Sequence, residues 1–433
     1  MRESAIEQSF NDLFAWCRAR NYAGYDPFDA LNSRLFNLTP LKYSRTARLL
    51  WTQALKRSPW NLRSLALVPP QRNAKGLALF ALAALGNYRR LKKQEGDTGE
   101  TRAATAKSEA QSLLTELARL ETRGYSGSAW SYNFPWQSRN FFAPKGTPMI
   151  VPTAFAARAF VEAHQEFGNE DYLRMAIGSC DFILNDLKRT VETDEEICFS
   201  YSPLDDTQIF NASLLAAETL ASVAPLTKAP AFCDYATRAA RYVARRQRAD
   251  GSWAYGAGPG QQWTDNFHTA YVLLSLSRIM KSVCGAEIDL RSSLQRGYAF
   301  WRERFFLADG WPKYYHDSLY PADAHAAATA IITLLEFRET DPGARALAEQ
   351  IAAWALSNLR DDSGFFYYQR RRFHTVRTPY MRWTEGWMLY ALARLLEERV
   401  QSPMSNVQSP TSVIGTDGLD FDVGHWTLDG SGN

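Results

Sequence analysis

TDNFHTAYVLLSLSRI, residues 264–279, reads as a helix opened by a polar cluster and then apolar nearly all the way round. A helix without a charged stripe offers no face to water, so it belongs in an interior. The same form recurs as VPTAFAARAF from Val151, TQIFNASLLAAETLA from Thr207, ADAHAAATAIITLLEF from Ala322 and YMRWTEGWMLYALARLL from Tyr380. Aligned on Thr153, Asn211, His268, His325 and Glu385, the five segments are 58, 57, 57 and 60 residues apart. So steady a period marks a repeat architecture. Upstream, RNAKGLALFALAALGNY from Arg72 is a sixth helix of this kind.

Amphipathic helices with a charged face alternate with these, over roughly 41–58, 101–121, 170–189, 229–247, 287–305 and 342–359. Six buried helices alternating with six half-exposed ones predict an all-α (α/α)6 toroid, because no hairpin covers its apolar face without a neighbour. Residues 151–398 supply five hairpins in this reading and 41–91 the sixth. Residues 1–40 form an extra N-terminal helix and a leading loop, 41–400 the toroid domain. The Ser-, Pro- and Gly-rich 401–433 is expected as a poorly ordered tail. Links from inner to outer helices are short, whereas those returning inward are long and hold ADGSWAYGAGPGQQW and ADGWPKYYHDSLYP. In a ring, all of the long loops emerge on one face.

The chain has 433 residues, 46% hydrophobic and 22% charged, which excludes general disorder. Lys and Arg number 49 against 46 Asp and Glu, for a net charge of +3. That excess argues against nucleic acid or an anionic membrane as a partner of the whole surface, so any attraction for anions is local. No apolar run is long enough to span a membrane. The five cysteines, Cys17, Cys180, Cys198, Cys233 and Cys284, are scattered and odd in number, and the N-terminal stretch is too charged for a signal peptide. All five are expected to be reduced, in a cytoplasmic protein. Neither their spacing nor that of the histidines calls for a metal or a cofactor.

The aromatic share is 13%, and much of it falls in the long loops beside Arg, Asn and carboxylates. Stacking rings with hydrogen-bonding neighbours suit a sugar, and the same rings also serve to fasten loops. Candidate binding residues are Trp130, Tyr132, Trp136, Arg139, Asn211, Trp253, Tyr255, Asp265, Asn266, Lys313, Tyr314, Asp323, Arg382 and Trp383. Helix N-termini and basic side chains at this mouth would favour an anionic ligand. His268 and His325, one period apart at helix openings, read either as capping residues or as an acid/base group with its tuning neighbour. Tyr320, Glu385 and Asp206 are the further catalytic candidates. Glu385 and Asp206 would be the carboxylate pair of a hydrolase, and Asp265 and Asp323 read equally as N-caps.

GYDPFDALNS, WSYNFPWQSRNFFAPKGTP, FNASLLAAETLA, DGSWAYG, WTDNFHTAYVLLSL, DGWPKYY, YPADAH and YMRWTEGWMLYALA together resemble the bacterial family of exopolysaccharide-biosynthesis gene clusters of the Vps-J type. The fold it implies is also that of six-hairpin glycosidases, sugar epimerases and terpenoid cyclases. The resemblance spans about residues 20–398 and implies a role in making or modifying an exported polysaccharide, with no catalytic residues to carry over. The expected function is to bind or modify an acidic sugar or glycan intermediate, as an epimerase, lyase or hydrolase, with other polysaccharide-biosynthesis proteins as potential contacts. The alternatives are a non-catalytic carbohydrate-binding or scaffold protein of the same pathway and, more distantly, a terpenoid-cyclase-like enzyme. The last departs from the pattern, since the nearest thing to an Asp-rich motif is Leu204-Asp205-Asp206-Thr207.

Overall fold

The computed structural model of the protein describes residues 2–94, 96–138 and 141–401, so the expected tail lies, apart from Gln401, outside the described residues. Fourteen α-helices follow one another among them: α1 (Arg2–Ala19), α2 (Arg34–Asn37), α3 (Arg45–Arg57), α4 (Ala74–Lys92), α5 (Asp97–Arg119), α6 (Ile150–Phe167), α7 (Glu170–Asn185), α8 (Phe210–Thr227), α9 (Pro230–Ala244), α10 (Asn266–Lys281), α11 (Arg291–Arg304), α12 (Ala324–Glu336), α13 (Ala344–Leu359) and α14 (Gly386–Gln401). Helices α4, α6, α8, α10, α12 and α14 pack in a closed circle, with α14 against α4. Their faces are almost wholly buried, as their all-round apolar sequences require. Helices α5, α7, α9, α11 and α13 stand outside this ring, each on the inner helix that precedes it. The toroid predicted from the period is therefore present.

The sixth outer position is filled differently from the expectation. Helix α1 packs on α14 and α13 and closes the outer layer, while α3, within the 41–58 segment expected there, lies over the long-loop face. Ile6, Phe10, Leu13, Phe14 and Cys17 are all buried on α1 at spacings that fall on one helical stripe. The N-terminal helix is thus part of the ring, and α3 is part of a cap. The cap, residues 20–73, is clamped by two buried ion pairs. Arg63 Nε donates to Asp29 Oδ1 at 2.7 Å, and Arg382 Nε and Nη2 donate to the two oxygens of Asp26 at 2.6 and 2.8 Å.

Short antiparallel pairings stiffen the long loops, among them the three-stranded Ala322–Asp323, Gln369–Arg370 and Thr375–Val376. The expectation of five reduced cysteines is corrected by a disulfide between Cys233 in α9 and Cys284 just beyond α10, with a Cα–Cα distance of 4.8 Å. Their separation of 51 residues is close to one repeat, and stacking successive hairpins makes such residues neighbours. Cys17, Cys180 and Cys198 are free and buried. The cytoplasmic assignment rested on reduced thiols as well as on the charged N-terminal stretch, and it loses the first of these premises. No helix among the described residues is long and apolar enough to cross a membrane.

Candidate functional site

The long loops and the N-terminal ends of the inner helices enclose a cavity of about 420 Å³ at the centre of the ring. Its floor is set by helix openings. Asp265 caps α10, its Oδ1 accepting the His268 N–H at 2.9 Å, and its Oδ2 meets His268 Nδ1 at 2.7 Å. One carboxylate thus both starts the helix and fixes the imidazole, leaving Nε2 available to a ligand. The His268 side chain is 22% exposed and lines the cavity.

A second group lies deeper. Tyr271, one turn after His268 on α10, has its hydroxyl 2.7 Å from His325 Nε2 and 3.3 Å from Lys75 Nζ. His325 is 1% exposed and stacked between Phe267 and Trp387, with Trp383 edge-on. Burial, with Lys75 and Arg382 close by, holds its pKa well below the ordinary histidine value, so the ring is neutral. Its Nδ1 is buried without a hydrogen-bond partner among the described residues. Lys75 is buried among Phe155, Tyr271 and Trp387 and makes no ion pair with a described carboxylate. Burial and the charge of Arg382 push its pKa well below the usual lysine range. Tyr271 is pushed well above the usual tyrosine value, chiefly by burial. The result is a buried hydrogen-bonded chain, Lys75, Tyr271 and His325, beside the Asp265–His268 pair, whose imidazole is open to the cavity.

Aromatic walls complete the cavity. Tyr132, Phe134, Trp136, Phe141 and Tyr201 form one side; Tyr255, Trp263, Phe267, Tyr314 and Trp383 form the other. Tyr255 and Trp263 stack at 4.6 Å, and Trp136 lies 4.9 Å from Tyr201. Lys56 reaches in from α3, 4.2 Å from the Phe28 ring, and burial lowers its pKa to about 8 despite Asp323 and Asp26.

Of the residues singled out in the sequence, ten meet at this cavity: Tyr132, Trp136, Asn211, Tyr255, Asp265, His268, Tyr314, His325, Arg382 and Trp383. Arg139 lies outside the described residues. The others do something else. Glu385 is fully buried away from the cavity, accepting the Phe366 N–H at Oε2; burial raises its pKa well above the carboxylate range. Asp206 is exposed and paired with Lys188 at 2.8 Å. Tyr320 packs edge-on against Trp311. Trp130 and Trp253 fasten loops, donating to the carbonyls of Leu117 and Val243 at 2.9 and 3.0 Å. A Cβ on Gly297 would fall 2.2 Å from the Trp253 ring, so this tight seat requires glycine. Asn266 donates to the Lys313 carbonyl and accepts from Trp301; Lys313 Nζ donates to the His316 carbonyl. Asp323 is the N-cap of α12, with a pKa raised by burial to about 7. Arg382 lines the cavity, but its guanidinium is held by Asp26, so its charge is already matched.

Lys75, Tyr271 and Lys56 were not singled out. Lys75 had a signal, being a lone charge in the first turn of the otherwise apolar AKGLALFALAALG, and Tyr271 follows His268 by three residues on the same face. Nothing in the sequence distinguishes Lys56 from the other cations of a polar helix.

No family model matches the sequence, and no curated protein matches it. Among solved structures, the chain is similar to a cellobiose 2-epimerase from Bacillus thermoamylovorans, at TM-score 0.60 and 12% identity over 76% of this chain and 88% of that one. It is also similar to an unsaturated glucuronyl hydrolase from Bacillus sp. GL1, at TM-score 0.56 and 14% identity over 91% and 97%. A third is a GH76 α-mannanase from Bacteroides thetaiotaomicron, at TM-score 0.56 and 11% identity over 76% and 86%. These are likenesses of fold: the chain has the six-hairpin (α/α)6 toroid that this epimerase, hydrolase and mannanase share.

Proposed function

We propose that the protein is a carbohydrate-modifying enzyme that acts by proton transfer at a carbon next to a carbonyl or carboxylate, on a saccharide carrying an acidic group. The observation that carries this reading is the Asp265–His268 pair in an aromatic cavity. Asp265 is the one carboxylate among the described lining residues of the cavity. Hydrolysis by two opposed carboxylates needs a second one, and the candidates Glu385 and Asp206 are elsewhere. That leaves the epimerase, isomerase and lyase classes ahead of the hydrolase class.

In this reading His268 Nε2 takes the proton, and Asp265 stabilises the imidazolium that forms. Lys56 and Lys75 offset the negative charge that builds on the substrate oxygen. The Tyr271 hydroxyl, hydrogen-bonded to His325, returns a proton from its own side. The aromatic walls stack on sugar faces. Similarity to the exopolysaccharide-cluster family in the motifs quoted above supports placing the substrate among intermediates of an exported polysaccharide. The aromatic walls alone would also suit a carbohydrate-binding protein without chemistry.

The test is incubation in heavy water with a panel of uronic-acid oligosaccharides and with cellobiose. Deuterium at a sugar carbon, or ultraviolet absorbance from a new double bond, supports catalysis, provided that His268→Ala abolishes it. Binding by calorimetry with neither signal would make the protein a binding module. Neither binding nor exchange across the panel would defeat the carbohydrate reading.

A further inference from the structure

The even balance of charge over the whole chain hides an uneven one. From residue 30 to residue 94 there is no Asp or Glu, and between Arg34 and Leu67 there are seven Lys and Arg. The same short segment exposes eight large apolar side chains. Leu38, Tyr43, Trp60 and Leu65 are 84%, 78%, 74% and 74% exposed. Soluble monomers seldom gather so much apolar surface without a use for it.

These residues belong to one packed unit. Helix α2, the turn Pro40–Tyr43 and α3 pack on one another, and α3 rests on the strand Trp136–Gln137 at the cavity. On α3 the inward side buries Thr52 and Leu55 and sends Lys56 to the cavity, whereas Thr46, Leu50, Ala54 and Arg57 form an exposed outward stripe. A second element continues the pattern. The loop tip at Arg372 and Phe373 adjoins the C-terminal end of α3, where His374 Nε2 is 3.3 Å from the Arg57 carbonyl; Phe373 is 87% exposed with the Arg372 guanidinium over its ring. Exposed Leu, Trp, Tyr and Phe interleaved with Arg and Lys, in a segment without acidic residues, are the composition that settles at a headgroup boundary: rings and leucines enter the upper acyl region, and cations meet phosphates.

We propose that this cap, with the Arg372–Phe373 loop tip, is a docking surface for an anionic lipid bilayer, which would bring the mouth of the central cavity to the membrane surface. The inference is independent of the carbohydrate reading, since it rests on a different surface. An acidic protein partner would satisfy the charges as well, but the exposed leucines and rings beside them suit an acyl boundary.

The experiment is flotation of the full chain with vesicles of phosphatidylcholine alone and of phosphatidylcholine mixed with phosphatidylglycerol. The expected result is binding to the mixed vesicles that weakens with added salt. Leu38→Ser, Trp60→Ser and Leu65→Ser together should abolish it, and Arg34→Glu, Arg57→Glu and Arg372→Glu should each weaken it about fivefold. Thermal melts unchanged from wild type establish that the loss is one of docking. No binding to either vesicle, or equal binding by wild type and the triple serine variant, would overturn the proposal. A wild-type dimer dissolved by the same three substitutions, without vesicle binding, would also overturn it and make the surface a contact between copies.

Discussion

The openings of α10 and α14 occupy equivalent places in the repeat and do opposite things. At α10, Asp265 caps the helix and presents His268 to the cavity. At α14, the aligned Glu385 is buried behind the ring, and Arg382 and Trp383 face the cavity instead. The backbone accounts for the difference. Residues Met381–Glu385 form a π-helical turn, in which the Glu385 N–H reaches the Tyr380 carbonyl five residues back, at 3.2 Å. Glu385 follows Trp383 by two residues, about half a turn around the axis, and so points to the far side. Equal register in a repeat gives equal direction only where the backbone is the same.

The sharpest way to break this comparison is to remove both side chains and measure turnover on whichever saccharide the heavy-water screen identifies. His268→Ala should lower turnover roughly 10²–10⁴-fold, the usual contribution of a positioned acid or base, with Tm little changed because the Asp265 cap remains. Glu385→Gln should leave turnover and Tm as they are, because the amide oxygen still accepts from the Phe366 N–H. Equal losses of turnover in the two variants would sink the distinction.

Next in size is the crosslink at the far end of α10. Cys233→Ser with Cys284→Ser should cost about 2–4 kcal/mol of stability in urea unfolding and leave turnover near wild type, since the helix opening is held by its own cap. A fall in turnover matching the fall in stability would mean that the opening depends on the distal staple.

Glu385→Ala should cost about 1–3 kcal/mol, because the Phe366 N–H is left buried without an acceptor. A loss well below that range would show water taking the place of Oε2.

A pH-dependent effect belongs to the α12 opening, which lies between the two in the chain. Asp323 has a folded pKa of about 7 against an ordinary 3.8, so its folded state holds the proton more tightly. Its contribution is therefore complete below the ordinary value and is lost as pH rises through about 7. Asp323→Asn keeps a capping oxygen and does not titrate, so its Tm relative to wild type should climb across that window. Lys56 and Asp265 face the same carboxylate with opposite sign. A flat difference across the window would show the Asp323 carboxylate stabilised as the anion.

The ring was legible because burial leaves a period: no sequence could place five all-apolar helices 57 to 60 residues apart without stacking them. Ten cavity residues were legible for the same reason, since long loops and helix openings must meet at one end. What could not be read was direction. Trp130 and Trp253 have the composition of a sugar platform and turn inward to backbone carbonyls. Arg382 looks like an anion clamp until Asp26, at the other end of the chain, claims it. The substitution of α1 for the 41–58 helix was hidden because both are amphipathic, and pattern alone does not rank two candidates for one vacancy. The Cys233–Cys284 bond was hidden by a spacing that only the stacking of hairpins makes short.

Because α1 completes the outer wall by packing on α14, a helix made before the ring depends on the helix that closes it. Until α13 and α14 emerge, the stripe from Ile6 to Cys17 lacks its seat, and a chain halted before α13 would still carry it uncovered. Growth of the ring can proceed hairpin by hairpin through local pairings, but its closure is a contact between near-opposite ends of the sequence, the slowest kind to form. The nascent protein is thus a natural client for a chaperone that grips apolar helices.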